Sequence, residues 1–146
     1  MQTKKILSLM QRISRAYLSR CEAILEEYDL LLPSFHILMF LANHPESCTA
    51  KDISDLLNIK ANVISVHVNR LVTAGYLTRE TMPDDRRKVR LSYTDKAAPL
   101  VERGRNMEQS FCSNLKEGLS DSQMQTLGDI LSVIGQNADQ IFDERN

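Results

Sequence analysis

No run of about 18 apolar residues occurs in the 146-residue sequence, so no helical membrane span is expected. An apolar signal core is missing as well: Lys4 and Lys5 open the chain, and Arg12 and Arg15 soon interrupt the apolar residues after them. Cysteine is scarce. Cys21, Cys48 and Cys112 are far apart, odd in number and form no CxxC pair, which excludes a disulfide framework and suits a reducing cytoplasm. His36, His44 and His67 are equally scattered and match no metal-ligand spacing, so neither metal nor cofactor is expected, and a structural role is the simpler reading of each. A Gly-rich phosphate loop, GxSxG, HExxH and a paired-carboxylate motif are all lacking, which argues against an enzyme. There is no internal repeat and no low-complexity segment.

What the sequence does contain is ordinary for a soluble globular protein, with 42% hydrophobic and 25% charged residues. Its length fits one domain with an added oligomerisation element. The net charge of -1 hides an uneven distribution. Residues 60–96 carry eight bases against four acids, whereas residues 1–59 sum to -1 and residues 97–146 to -4. A basic middle between acidic flanks is a localised electrostatic footprint, although a merely solvated charge run would look the same by charge alone.

Hydrophobic periodicity divides the chain. Ile6, Leu9, Met10, Ile13, Tyr17, Ile24 and Tyr28 recur at helical steps, which predicts a long amphipathic helix broken at Leu30-Leu31-Leu32-Pro33. Pro33 opens a second helix with apolar Phe35, Leu38, Met39 and Leu41, and Asn43-His44-Pro45-Glu46-Ser47 reads as a turn. Thr49, with Asp52 three residues on, caps a short helix whose face is Ile53, Leu56 and Leu57. After Asn58-Ile59-Lys60 a further helix runs from about Ala61 to Ala74, with Gly75 as its left-handed terminator. Residues 76–81 and 88–93 alternate as a hairpin around a polar loop. Thr94 is expected to cap the next helix, and Pro99 to kink it. Phe111, Leu115 and Leu119, then Leu127, Ile130, Leu131, Ile134, Ala138 and Ile141, form two apolar stripes separated by Ser120-Asp121-Ser122.

Within the Ala61–Ala74 helix, Ile64, Val68 and Leu71 share one stripe, and Asn62, Ser65, Val66, Asn69 and Thr73 lie opposite. The major groove of B-DNA admits one helix and offers hydrogen-bonding edges to short polar side chains, which Asn62, Ser65 and Asn69 could meet. Asn69 is the candidate for a bidentate pair with adenine, while Lys60 and Arg70 flank the face as phosphate contacts. The hairpin tip adds Arg86, Arg87 and Lys88. An arginine on a protruding ribbon fits a narrow minor groove, and Asp84 or Asp85 would clamp one guanidinium in direction.

Leu32-Pro33-Ser34-Phe35-His36-Ile37-Leu38, Ile53–Ile59, Val68–Leu77 and Asp85-Arg86-Arg87 followed by residues 89–96 together resemble the MarR family of bacterial transcriptional regulators, over the stretch from Leu30 to about Gly104. The resemblance implies a mainly α winged helix-turn-helix with a small β-hairpin wing, as one MarR-like domain over residues 1–146. Residues 30–99 would be the DNA-binding lobe, and residues 1–29 and 100–146 the dimerisation helices. It further implies a cytoplasmic homodimeric repressor that binds a palindromic operator in duplex DNA and is released by a small aromatic or anionic effector. Two departures stand out. Val66 replaces a frequent arginine, which substitutes contact with a thymine methyl, and Lys60-Ala61 replaces a common Ser-Pro cap, leaving Asn62 as an alternative cap. Oxidant sensing through Cys21 or Cys112 is an alternative, although Glu22 beside Cys21 and the usual burial of free cysteine favour plain packing. A winged-helix protein-interaction module is another, but it would not need the polar stripe. Tyr17, Tyr28, Phe35 and His36 fit an effector cavity and a core equally well.

Overall fold

The computed structural model describes residues 2–46 and 48–143; Met1, Ser47 and residues 144–146 lie outside them, and with them the last position of the turn expected before Thr49. In chain order the elements are α1 (Gln2–Glu27), α2 (Leu32–Asn43), α3 (Ala50–Leu57), α4 (Ala61–Thr73), β1 (Leu77–Thr81), β2 (Val89–Tyr93), α5 (Ala98–Lys116) and α6 (Asp121–Asp143). The fold is mainly α with one antiparallel hairpin, as expected. Two compact units divide within α5: Met1–Gln109 and Ser110–Asn146.

The core of the first unit is built around α2. Phe35, Ile37 and Leu38 are sealed from solvent, and Ile53 of α3, Ile64 of α4 and Leu100 of α5 close over them with no exposed surface of their own. The approach of α5 to α2 is close enough to require a glycine. A Cβ on Gly104 would collide with the Met39 sulfur and press on the Phe35 ring. Only the C-terminal half of α1 joins this core. Ile24 is buried and Tyr17 and Tyr28 are partly so, but Ile6, Leu9, Met10 and Ile13 of the same stripe stand exposed.

Local signals in the sequence set the helix ends. Thr49 and Asp52 form a reciprocal capping box at α3, the Asp52 N–H donating to Thr49 Oγ1 and the Thr49 N–H to Asp52 Oδ2. Asn58, at φ 51°, then turns the chain through the left-handed region. At the end of α4, Gly75 has φ 80°, and the Tyr76 and Gly75 N–H groups donate back to Leu71 O and Val72 O, a Schellman arrangement that a β-carbon would strain. Ser120 and Gln123 form a second reciprocal cap at the start of α6, within the expected polar break.

Two expectations fail here. Thr94 does not cap α5. Its hydroxyl donates to Gly75 O at 2.6 Å and a turn over 95–97 intervenes, so the residue ties the hairpin exit to the end of α4. Pro99 is the second residue of α5, where no intrahelical donor is required, and so it starts the helix rather than bending it. Among the described residues no helix is long and apolar enough to cross a membrane.

Candidate nucleic-acid interface

The two faces of α4 are sharply different. On its inner side Ile64, Val68 and Leu71 are buried in the core, and His67 between them is also buried, its Nδ1 2.9 Å from Ser34 Oγ on α2. That hydrogen bond satisfies an imidazole that would otherwise be costly to bury, and burial, with the Arg70 charge adding, holds the ring below its ordinary pKa. The outer side carries Lys60, Asn62, Ser65, Val66, Asn69 and Arg70, all exposed. Fixing the apolar stripe therefore fixes where these six side chains project. Lys60 occupies the N-cap position without a side-chain cap hydrogen bond, and Asn62, expected as the alternative cap, sits inside the helix in solvent. The first turn of α4 thus keeps side-chain-free N–H groups and no acidic residue, which favours an anion in front of it.

Asn69 is not free. The guanidinium of Arg79, an exposed residue of β1, donates to its Oδ1. Arg79 belongs to the basic middle of the sequence, where its charge alone points to no particular role. Strand alternation places Arg79 on the same face as buried Leu77 and its cross-strand partner Leu91, at the exposed edge of that face, so the contact leaves no trace in the sequence pattern. The basic footprint contains a second residue with an internal task. Lys96 donates to Ala74 O at 2.6 Å, completing the C-terminus of α4, and its Nζ lies 4.8 Å over the Tyr76 ring.

The wing is held by its backbone. The Leu91 N–H donates to Cys48 O at 2.8 Å, anchoring β2 to the segment ahead of α3, and the Met82 N–H donates to Lys88 O at 3.0 Å, closing the loop. Asp85 does not clamp a guanidinium. Its Oδ1 accepts from the Arg87 backbone N–H at 3.0 Å, so the carboxylate shapes the turn, because a short side chain two residues back reaches the main chain before it reaches an arginine tip. The Arg86 and Arg87 side chains are exposed, and neither guanidinium has a hydrogen bond or ion pair among the described residues. Lys88, also exposed, lies nearer α3. The Thr49 hydroxyl and N–H hold the Asp52 carboxyl below its ordinary range, with the charges of Lys88 and Lys51 adding to them.

A separate polar group lies deeper in the first unit. Tyr17 OH donates to Glu108 Oε1 at 3.0 Å, and its ring stacks on His36 at 5.9 Å. Cys21 is fully buried beside it, and burial pushes both the tyrosine hydroxyl and the thiol up, with the Glu108 charge adding in each. Phe35, a cavity-wall candidate by sequence, is wholly core. Cys112 is exposed. No group of His, Cys, Asp and Glu among the described residues could hold a metal ion.

Comparison with known proteins agrees with this geometry. The family model described as "MarR family" matches residues 28–88, from the end of α1 through the wing. Over 128 residues the chain is 25% identical to the HTH-type transcriptional repressor IacR of Pseudomonas putida, covering 88% of this chain and 76% of that protein. In structure it is similar to a MarR protein from Peptoclostridium difficile, with a TM-score of 0.83 at 20% identity, covering 97% of this chain and 92% of that one. A MarR transcriptional regulator from Methanosarcina mazei gives a TM-score of 0.79 at 22% identity, covering 94% of this chain and 99% of the other. With the helix-turn-helix, the wing and the flanking helices in the order found in these proteins, the chain shares their fold and is similar over residues 28–88 to the MarR family of transcriptional regulators.

Proposed function

We propose that the protein is a cytoplasmic homodimeric repressor whose two α4 helices enter successive major grooves of a palindromic operator, while the wing arginines reach the flanking minor grooves. One observation carries this reading. The back of α4 is fixed in the core, so Lys60, Asn62, Ser65, Val66, Asn69 and Arg70 project together, on the same lobe as two uncommitted arginines at a ribbon tip. Lys60, Arg70 and Lys88 bind phosphates, Asn62 and Ser65 meet base edges, Val66 packs on a thymine methyl, and Arg86 and Arg87 serve the minor groove.

Dimerisation is supported by apolar surface that a lone chain leaves in water. Ile6, Leu9 and Met10 on α1, and Ile130, Leu131 and Ile134 on α6, are each about half exposed or more. A two-fold dimer would set the recognition helices about 34 Å apart. Repression is supported by the Pseudomonas putida relative, itself a repressor. Release by a small aromatic or anionic effector follows from the family resemblance and would act by changing the helix separation. Oxidant sensing at Cys21 is disfavoured, because a buried thiol held above its ordinary pKa presents little thiolate.

Selection of bound fragments from the organism's own genomic DNA, followed by salt titration on the selected duplex, tests the proposal. Binding should fall log-linearly with salt, as expected when several phosphates are neutralised. A monomeric protein indifferent to duplex DNA at low ionic strength would overturn it.

A further inference from the structure

Asn69 and Arg79 meet across two elements, one exposed on the outer side of α4 and the other exposed on β1, beyond buried Leu77 on the strand face that looks toward α4. The chemistry of the two groups fixes the direction of the amide. A guanidinium has five N–H donors and no acceptor, so the atom of Asn69 that faces Arg79 must be Oδ1, and the amide NH2 is turned away from it. Bidentate recognition of adenine demands something else. Oδ1 and Nδ2 must face the same base together, the oxygen accepting from N6 and the nitrogen donating to N7. An asparagine whose oxygen is held by the wing strand cannot do this without giving up its partner.

We propose that Arg79 is a positioning residue that converts Asn69 from an adenine reader into a donor, so that the pair presents donors only and selects guanine. The Asn69 amide NH2 and the remaining guanidinium N–H groups are matched by a base edge with two acceptors and no donor beside them. In the major groove that edge is guanine O6 and N7, whereas adenine places its N6 donor against them. Arg79 acts both by orienting the amide and by contributing a second donor. This inference rests on the reading of α4 as the groove-entering helix.

The test is selection from a pool of randomised duplexes by the full-length protein and three variants, Arg79→Met, Arg79→Lys and Asn69→Ala. Wild type should show guanine at one position in each half-site. Arg79→Met should lower that preference by about tenfold and move it toward adenine as Oδ1 is released, with the other positions and the melting temperature unchanged. Arg79→Lys keeps a donor and should restore guanine in part, which a merely structural role would not require. Asn69→Ala should lose selectivity at that same position, with no base taking over. An adenine preference in wild type at the position Asn69→Ala erases would overturn the inference. So would an Arg79→Met variant weakened equally on every sequence with the log–log salt slope reduced by about one, since that is the behaviour of a phosphate contact. Wild type that enriches no palindrome would remove the groove-reading role of α4 itself, and this inference with it. An enriched palindrome with no change in Arg79→Met would sink the pair alone.

Discussion

Phe35, Ile37 and Leu38 in the first unit are sealed from water, whereas Leu131, Val133 and Ile134 in the second are 49–56% exposed. Both sets are apolar residues on helices, but α2 runs apolar without a break from Ile37 to Ala42, whereas polar residues interleave the apolar ones of α6. What surrounds the two sets differs as well. Around α2 the chain supplies α3, α4, α5 and the hairpin, and the stripe closes inside one lobe. Along α6 no described residue is buried. One region finishes its own core; the other leaves its apolar residues exposed. The N-terminal half of α1 belongs with the second kind, although it sits in the first unit.

The largest effect should come from breaking the unfinished region. Leu131→Asp with Ile134→Asp places two carboxylates on the exposed apolar face of α6. If that face is the dimer interface, sedimentation should show monomers, and operator affinity should drop by about a thousandfold, because the second half-site no longer binds as an intramolecular event. Circular dichroism should remain helical. A variant that stays dimeric with full affinity would refute the assignment of α6.

The finished core answers to a different measurement. Phe35→Ala should cost roughly 3–5 kcal/mol in urea denaturation, since the ring is fully enclosed and Gly104 has been left bare to let α5 reach it. A loss below about 1 kcal/mol would mean that the lobe collapses around the cavity and is less closed than its geometry implies. A smaller loss of function is expected at the wing, whose tip has no packing to lose. Arg86→Ala with Arg87→Ala should weaken DNA binding by about ten- to a hundredfold at moderate salt and reduce the salt slope by up to two, at constant stability. Near-native affinity in this double variant would take the wing out of the mechanism.

The same contrast governs what the sequence discloses. Ile64, Val68 and Leu71, the Thr49–Asp52 box and the Gly75 terminator are local features, each fixed by backbone geometry within one element, and each is where the sequence places it. The outward set on α4 follows from that stripe. Contacts between elements are another matter. The Arg79–Asn69 pair depends on the hairpin's twist relative to α4, which no periodicity encodes. Asp85 and Thr94 have plausible local partners by sequence, but nearer main-chain groups claim them. Periodicity likewise marks the α1 and α6 stripes as apolar without saying whether the covering surface belongs to the same chain.

The subtlest expected effect sharpens the boundary of the finished region. His67 is buried on the core side of α4, and its ring is held below the ordinary value of 6.5 by burial first and by the Arg70 charge second. Above pH 6.5 the ring is neutral in both folded and unfolded chains and contributes no pH dependence. As the pH falls through 6.5 the unfolded chain takes up a proton that the folded chain resists, so stability declines until the folded ring is protonated as well. The Ser34 contact does not by itself resist that proton, since a hydroxyl can turn from donor to acceptor; the penalty is that of a charge in an apolar setting. His36 is lowered by burial too, with Glu108 opposing, so it shares the effect. His67→Asn keeps a polar atom near Ser34 but cannot titrate. Urea midpoints compared at pH 8 and pH 5 should therefore show a smaller acid loss in His67→Asn than in wild type, with the remainder carried largely by His36. Equal losses in the two proteins would mean that the back of α4 is open enough to water to accept the charge, and that the lobe is less sealed than α2 makes it look.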